Sequence, residues 1–119
     1  MEVLCEMMKL KPERVKDYVD LHNHTWPELV VEMRACGILE EYVYILDNLV
    51  VVIMKAESFS VTNARLAKCD VFTRWDVEVR PMMLIEPSFT HTADGLVDLH
   101  PTWRLDNFDA KGVLTAKPI

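Results

Sequence analysis

Residues 49–54, Leu49-Val50-Val51-Val52-Ile53-Met54, form an apolar run with almost no alternation. A half-buried strand alternates apolar and polar side chains, so a strand apolar at every position must be covered on both faces. At six residues the run is also far short of the ~20 that span a bilayer. Upstream lies a second extended stretch, Ile38 to Leu46, in which Tyr42, Tyr44 and Leu46 alternate with Val43 and Ile45. Asp47-Asn48 joins the two as a two-residue turn, which favours a tight antiparallel hairpin. Helices can cover one face of that hairpin. The other face requires a second subunit, a closed ligand cavity, or both.

The flanking segments supply the helices. Val3 to Leu10 is short and mostly apolar, and reads as a first strand. Pro12 suits the first turn of a helix, where its missing N–H costs nothing, and Glu13 suits the positive helix end. Val15, Tyr18, Val19 and His22 then recur at i, i+3, i+4 and i+7, a single helical stripe. Asn23-His24-Thr25 breaks it. Thr25 is expected to cap a second helix, with Pro27 in its first turn, Leu29, Val30 and Met33 turned inward, and Gly37 as the stop. Ser58 or Ser60 can cap a short helix through Leu66 and Ala67. Asp70 is expected to cap another that carries Val71, Phe72, Trp75 and Val79 and ends before Pro81. Met82 to Asp94 shows turn residues and little periodicity, and Leu96 to about Trp103 reads as a last strand. The order strand, helix, strand, strand, helix, strand predicts a ferredoxin-like α+β fold: a four-stranded antiparallel sheet with helices on one face. Residues 1–104 are expected to form one domain and 105–119 a peripheral C-terminal tail.

Composition narrows the partners. With 13 Lys+Arg against 19 Asp+Glu the formal charge is −6, and no basic cluster rises above that background, so nucleic acid is not expected. No signal-peptide pattern opens the chain and no membrane span is visible, so neither secretion nor a membrane is expected. Cys5, Cys36 and Cys69 are odd in number, far apart and without a CxxC pair. They read as small core side chains in a reducing compartment, which points to the cytoplasm.

Several residues could carry chemistry. Tyr18 and His22 stand one helical turn apart on a half-buried face, roughly 5–6 Å between Cβ atoms, and could form an acid–base pair. The plainer alternative is a core phenol with its hydroxyl at the rim and a histidine acting as a C-terminal helix cation. A zinc site from His22, His24 and one of His91 or His100 has no supporting ligand spacing, so no metal is expected. Trp26 and Trp75 serve either as core mass or as a platform for the C–H face of a sugar ring. Arg74 and Asp76 flank Trp75 and could address sugar hydroxyls, or could be solvated surface charges.

The stretch Tyr18-Val-Asp-Leu-His22-Asn23-His24-Thr25-Trp26-Pro27-Glu28-Leu29 strongly resembles the L-rhamnose mutarotase family, whose signature is a Tyr, then His-Asn, then Trp-Pro-Glu-Leu at this spacing. Tyr42-Val-Tyr44-Ile-Leu46-Asp47 with Asn48-Leu49 is similar to that family's hairpin, and Asp70-Val71-Phe-Thr-Arg74-Trp75 with Pro81-Met82 to its later helix. The likeness covers residues 1–83 well. It implies a dimeric ferredoxin-like subunit, of the dimeric α+β-barrel type, that interconverts the α and β anomers of L-rhamnose without a cofactor. It further implies catalytic roles for His22 and Tyr18 and sugar contacts from Trp75, with Arg74, Asp76 and Trp26 as further candidates. The family commonly has Trp-Trp where this chain has Trp75-Asp76, often has a basic residue where this chain has Leu21, and does not share the sequence around Ser88 to Gly95. Met7 or Val52 are candidates for an apolar wall against a deoxy sugar's methyl. Two other readings stand beside this one: a monooxygenase or haem-degrading relative on the same dimeric plan, and a non-catalytic sugar-binding module.

Overall fold

The computed structural model describes residues 1–90 and 94–116, with the side chains of residues 87 and 90 left aside. The expected ferredoxin-like order is present. Strand β1 (Glu2–Leu10) leads through a 3-10 turn at Pro12–Arg14 into α1 (Val15–Asn23) and α2 (Pro27–Ala35). The hairpin β2 (Ile38–Leu46) and β3 (Leu49–Ala56) follows, then α3 (Phe59–Leu66) and α4 (Asp70–Val79). Three short elements complete it: β4 (Met83–Leu84), α5 (Pro87–Thr90) and β5 (Val97–Leu99). The sheet runs β2-β3-β1-β4, all antiparallel, and β5 pairs β1 at Cys5 to Met7, farther along the edge that β4 occupies at Lys9 and Leu10. The last edge is therefore split between two short strands, where the sequence predicts one strand from Leu96 to Trp103.

Local chemistry explains most boundaries. Asp47 adopts φ 54° in the hairpin turn, a left-handed conformation that Asp tolerates. Gly37 has φ +112°, as a helix-terminating glycine permits. Ser58 caps α3 through the Val61 N–H. Two expected caps are replaced. Thr25 does not cap α2, because its hydroxyl donates instead to the His22 carbonyl and closes the end of α1; Trp26 holds the cap position. Asp70 lies just inside α4, whose cap position is Cys69, and its carboxylate meets Arg74 one turn on.

Strand alternation divides the core. On the helix side stand Leu4, Met8 and Leu10 of β1 with Val50, Val52 and Ala56 of β3, all at most 7% exposed. Tyr18, Leu29, Phe59, Leu66, Val71 and Val79 close over them. Val19 departs from the expected helical stripe and faces solvent. The cysteines are all free, Cys36 buried and Cys5 and Cys69 half-buried. No helix among the described residues is long and apolar enough to cross a membrane.

The far side of the sheet is uncovered in the single chain. Register pairs Tyr42 with Ile53, Tyr44 with Val51 and Leu46 with Leu49, and β1 adds Cys5 and Met7 to the same face. Tyr42, Tyr44 and Leu46 are 51%, 58% and 71% exposed. Met7, a candidate for the sugar pocket, lies on this open face, since it is one residue out of phase with Glu6 and Met8.

Candidate functional site

Between the helix layer and the sheet lies a cavity of about 580 Å³, within the range of small-molecule sites. Its floor is β1 and β3, where Leu4, Glu6, Met8, Val52 and Met54 point upward, and its roof includes Tyr18, His22 and Trp75. Both hydrophobic clusters of the core contribute lining, and Met54 packs against each of them. A second hollow of about 480 Å³, under Trp103, Leu105 and Phe108, holds a single acidic residue, Asp109, and no histidine.

The Tyr18 and His22 rings meet at 4.1 Å between centroids, tilted by 33°. The His22 Nδ1 lies 2.8 Å from the Tyr18 carbonyl oxygen. A carbonyl only accepts, so Nδ1 carries the hydrogen and Nε2 carries the lone pair. Burial lowers the His22 pKa below its usual value, against the smaller opposing effect of that hydrogen bond. The imidazole is therefore neutral at pH 7 and equipped as a base. Trp75 meets His22 edge-on at 5.2 Å, and Trp26 meets Trp75 at 5.1 Å and 90°, so three rings buttress one another.

The sequence candidates are not all brought together. Tyr18, His22, Trp75, Asp76 and Val52 line the cavity. Asp76 is engaged by Arg80 at 2.7 Å. Arg74 stands outside the lining, 56% exposed, held by Asp70 at 3.1 Å and Glu28 at 3.7 Å, with its guanidinium 5.8 Å from the Trp26 ring. Trp26 also stands outside the lining and props Trp75 from behind. His24 and His100 are exposed, and His91 lies outside the described residues. Among the described residues, no three His, Cys, Asp or Glu side chains are grouped so as to hold a metal ion.

Sequence reasoning missed the acidic side of the cavity. Glu6, Glu41 and Asp98 line it from β1, β2 and β5. Burial pushes the Glu6 carboxyl up to about 7, and the carboxylates of Asp98, Glu41, Asp94 and Asp76 add to the effect. Glu41 sits on the edge strand and is exposed as a residue, yet its carboxyl turns toward the cavity, and desolvation raises its pKa as well. The same burial, reinforced by Glu41 and Glu6, raises the Tyr18 phenol far above its ordinary range. A signal for Glu6 existed: it is the one charged residue in Val3 to Met8, at an inward phase of the strand.

The sequence profile described as L-rhamnose mutarotase matches residues 3–105. An L-rhamnose mutarotase of Burkholderia orbicola (strain MC0-3) is 30% identical over 90 residues, covering 73% of this chain and 85% of the relative. One from Burkholderia cenocepacia (strain HI2424) matches to the same extent. Among solved structures, an L-rhamnose mutarotase from Formosa agariphila superposes with a TM-score of 0.63 at 20% identity, covering 88% of this chain and 97% of that one. An antibiotic biosynthesis monooxygenase superposes with a TM-score of 0.59 at 16% identity, covering 83% and 94%, and at that identity shares the fold alone. With the matched profile spanning nearly all of the sheet and helices that enclose the cavity, the chain belongs to the L-rhamnose mutarotase family.

Proposed function

We propose that the protein interconverts the α and β anomers of L-rhamnose, or of a closely similar deoxy sugar, by cofactor-free acid–base ring opening and closure. The observation that carries this reading is the His22 imidazole, neutral, fixed in its Nδ1–H tautomer, and set beside Tyr18 in the wall of a sugar-sized cavity. Mutarotation requires one group to take the proton of the anomeric hydroxyl while another protonates the ring oxygen. The C1–O5 bond breaks, the open aldehyde rotates about C1–C2, and reclosure from the opposite face returns both protons. General acid–base catalysis typically contributes ~10²–10⁴-fold, enough for a reaction that already proceeds slowly in water.

His22 acts as the principal acid/base and Tyr18 as the second proton-transfer or orienting group. Trp75 covers the C–H face of the sugar, and Val52 and Met54 offer an apolar wall to its methyl. Asp76 addresses hydroxyls from the rim, while Arg74 and Trp26 support Trp75 and α4 from outside. The working unit is read as a cytoplasmic homodimer: the uncovered sheet face supports the second subunit, and three free thiols suit a reducing compartment. Residues 1–104 form the mutarotase domain and the remainder an appended tail.

Anomer exchange of L-rhamnose measured by saturation-transfer NMR tests the reading. The wild type is expected to accelerate exchange well above buffer, and His22→Ala to lose ~10²-fold or more of that acceleration. Exchange at the buffer rate by the wild type sinks the mutarotase reading. Saturable sugar binding without faster exchange would replace it with a passive binding module.

A further inference from the structure

Ring opening moves two protons at two different oxygens, and His22 serves only one of them. We infer that Glu6 exchanges the second proton, the one on the ring oxygen, and that Tyr18 orients rather than transfers; this rests on the mutarotase reading above. The argument begins with placement. His22 hangs from α1 into the roof of the cavity, whereas Glu6 rises from β1 in its floor, opposite Val52 and beside Asp98. A sugar held between helix layer and sheet therefore has an imidazole above it and a carboxyl below it. Transfer at O1 and O5 requires a proton carrier within reach of each oxygen, and the roof and the floor of the cavity supply one apiece.

The charges around Glu6 decide its form. Asp98 on β5, Glu41 on β2 and Asp76 on α4 share the cavity lining with it, and their negative charges, with that of Asp94 before β5, act on it. Arg80, whose charge reaches Glu6, is already held by Asp76 at 2.7 Å, and the Glu6 carboxyl makes no hydrogen bond or ion pair among the described residues. Burial and the surrounding carboxylates outweigh Arg80 and hold the proton on Glu6, so at neutral pH a large fraction of it is an acid ready to give that proton up. Tyr18 lies under the same influences: the residue is only 2% exposed, and the charges of Glu41 and Glu6 act on its phenol. Burial and the charges of those two carboxylates both disfavour its anion, so it stays protonated and serves by hydrogen bonding.

The proton balance closes. Neutral His22 takes the O1 proton as the C1=O bond forms, and the Glu6 acid gives its proton to O5 as C1–O5 breaks. After rotation, O5 attacks the other face of C1 and returns its proton to the Glu6 carboxylate, while the imidazolium reprotonates O1. Both residues end as they began, with no further reactant.

Glu6→Gln tests this, because the amide keeps shape and polarity but carries no transferable proton. With L-rhamnose, kcat is expected to fall ~10²-fold while KM moves less than about threefold. The wild-type pH–rate profile should fall as Glu6 ionises above neutrality, and that descending limb should vanish in the variant. Glu6→Asp should recover part of the lost rate and regain the limb, which a structural role would not provide. A Glu6→Gln protein as fast as wild type, with the wild-type profile, overturns the role of Glu6 and leaves the mutarotase reading intact. A wild-type profile without a descending limb also overturns it, even if Glu6→Gln does not fold. Wild-type exchange no faster than buffer overturns both.

Discussion

Desolvation acts on Tyr18, His22 and Glu6 alike by favouring the uncharged form, yet the chemical outcome differs for each. It leaves the phenol an unreactive donor, the imidazole a base and the carboxyl an acid. The Glu6 shift has a consequence for folding. Its native pKa, about 7, lies above the reference value of 4.5, so the native state binds this proton more tightly than the unfolded chain does. The resulting stabilisation is fully present below the unfolded value and is lost as pH rises through about 7. Glu6→Gln removes that dependence. Its Tm relative to wild type is expected to be higher at pH 8 than at pH 5 by several degrees, since ~1 kcal/mol corresponds to ~4 °C or more in a chain of about this size. Thermal unfolding followed by circular dichroism at both pH values measures it. The sequence motif around Tyr18 and His22 was readable because both residues lie on one helical turn. Glu6 is not legible in this way, since its value as a site depends on neighbours from β2, α4 and β5 that are distant in the chain.

Within the elements, a single irregularity redirects a whole strand. Ile38 pairs with Ala56 and Glu40 with Lys55, so Leu39 is bulged out of register. Past the bulge, Glu41, Val43 and Ile45 take the helix side and Tyr42, Tyr44 and Leu46 the open side. The alternation was plain in the sequence; which phase faced inward was not, because one extra residue reverses it. The bulge follows Gly37, whose conformation is demanding. At φ +112° an added Cβ would lie 2.6 Å from the Oγ1 of Thr62, which is itself 3% exposed. Gly37→Ala is therefore expected to cost about 1–3 kcal/mol, seen as a lower urea midpoint at unchanged m-value. Gly112→Ala, with φ +81° but no atom within 4 Å of the added Cβ, should cost less. The β4 strand is illegible in the sequence because two residues display no periodicity, and the role of Thr25 is ambiguous there because a hydroxyl beside a helix end can serve either helix.

For the molecule as a whole, the open sheet face is the largest unresolved demand. Tyr42, Tyr44, Leu46, Leu49, Val51 and Ile53 form one apolar surface with Met7 and Cys5, and exposed contiguous apolar patches of this kind mark interfaces. A homodimer through this face is the expected solution state. Val51→Lys, at its centre, should yield a monomer by analytical ultracentrifugation, whereas a wild type that sediments as a monomer would leave the face to another partner. The doubly apolar run at 49–54 thus announces from sequence that two covers are needed, and the helices and hairpin turn follow from local periodicity and turn chemistry. Those are short-range properties, set by residues within a few positions of one another. Only the tertiary structure decided where the sheet edge splits, which side of β2 meets the helices, and which carboxyls share the cavity with His22. These depend on register and on packing between segments far apart in the chain, and no local pattern encodes either.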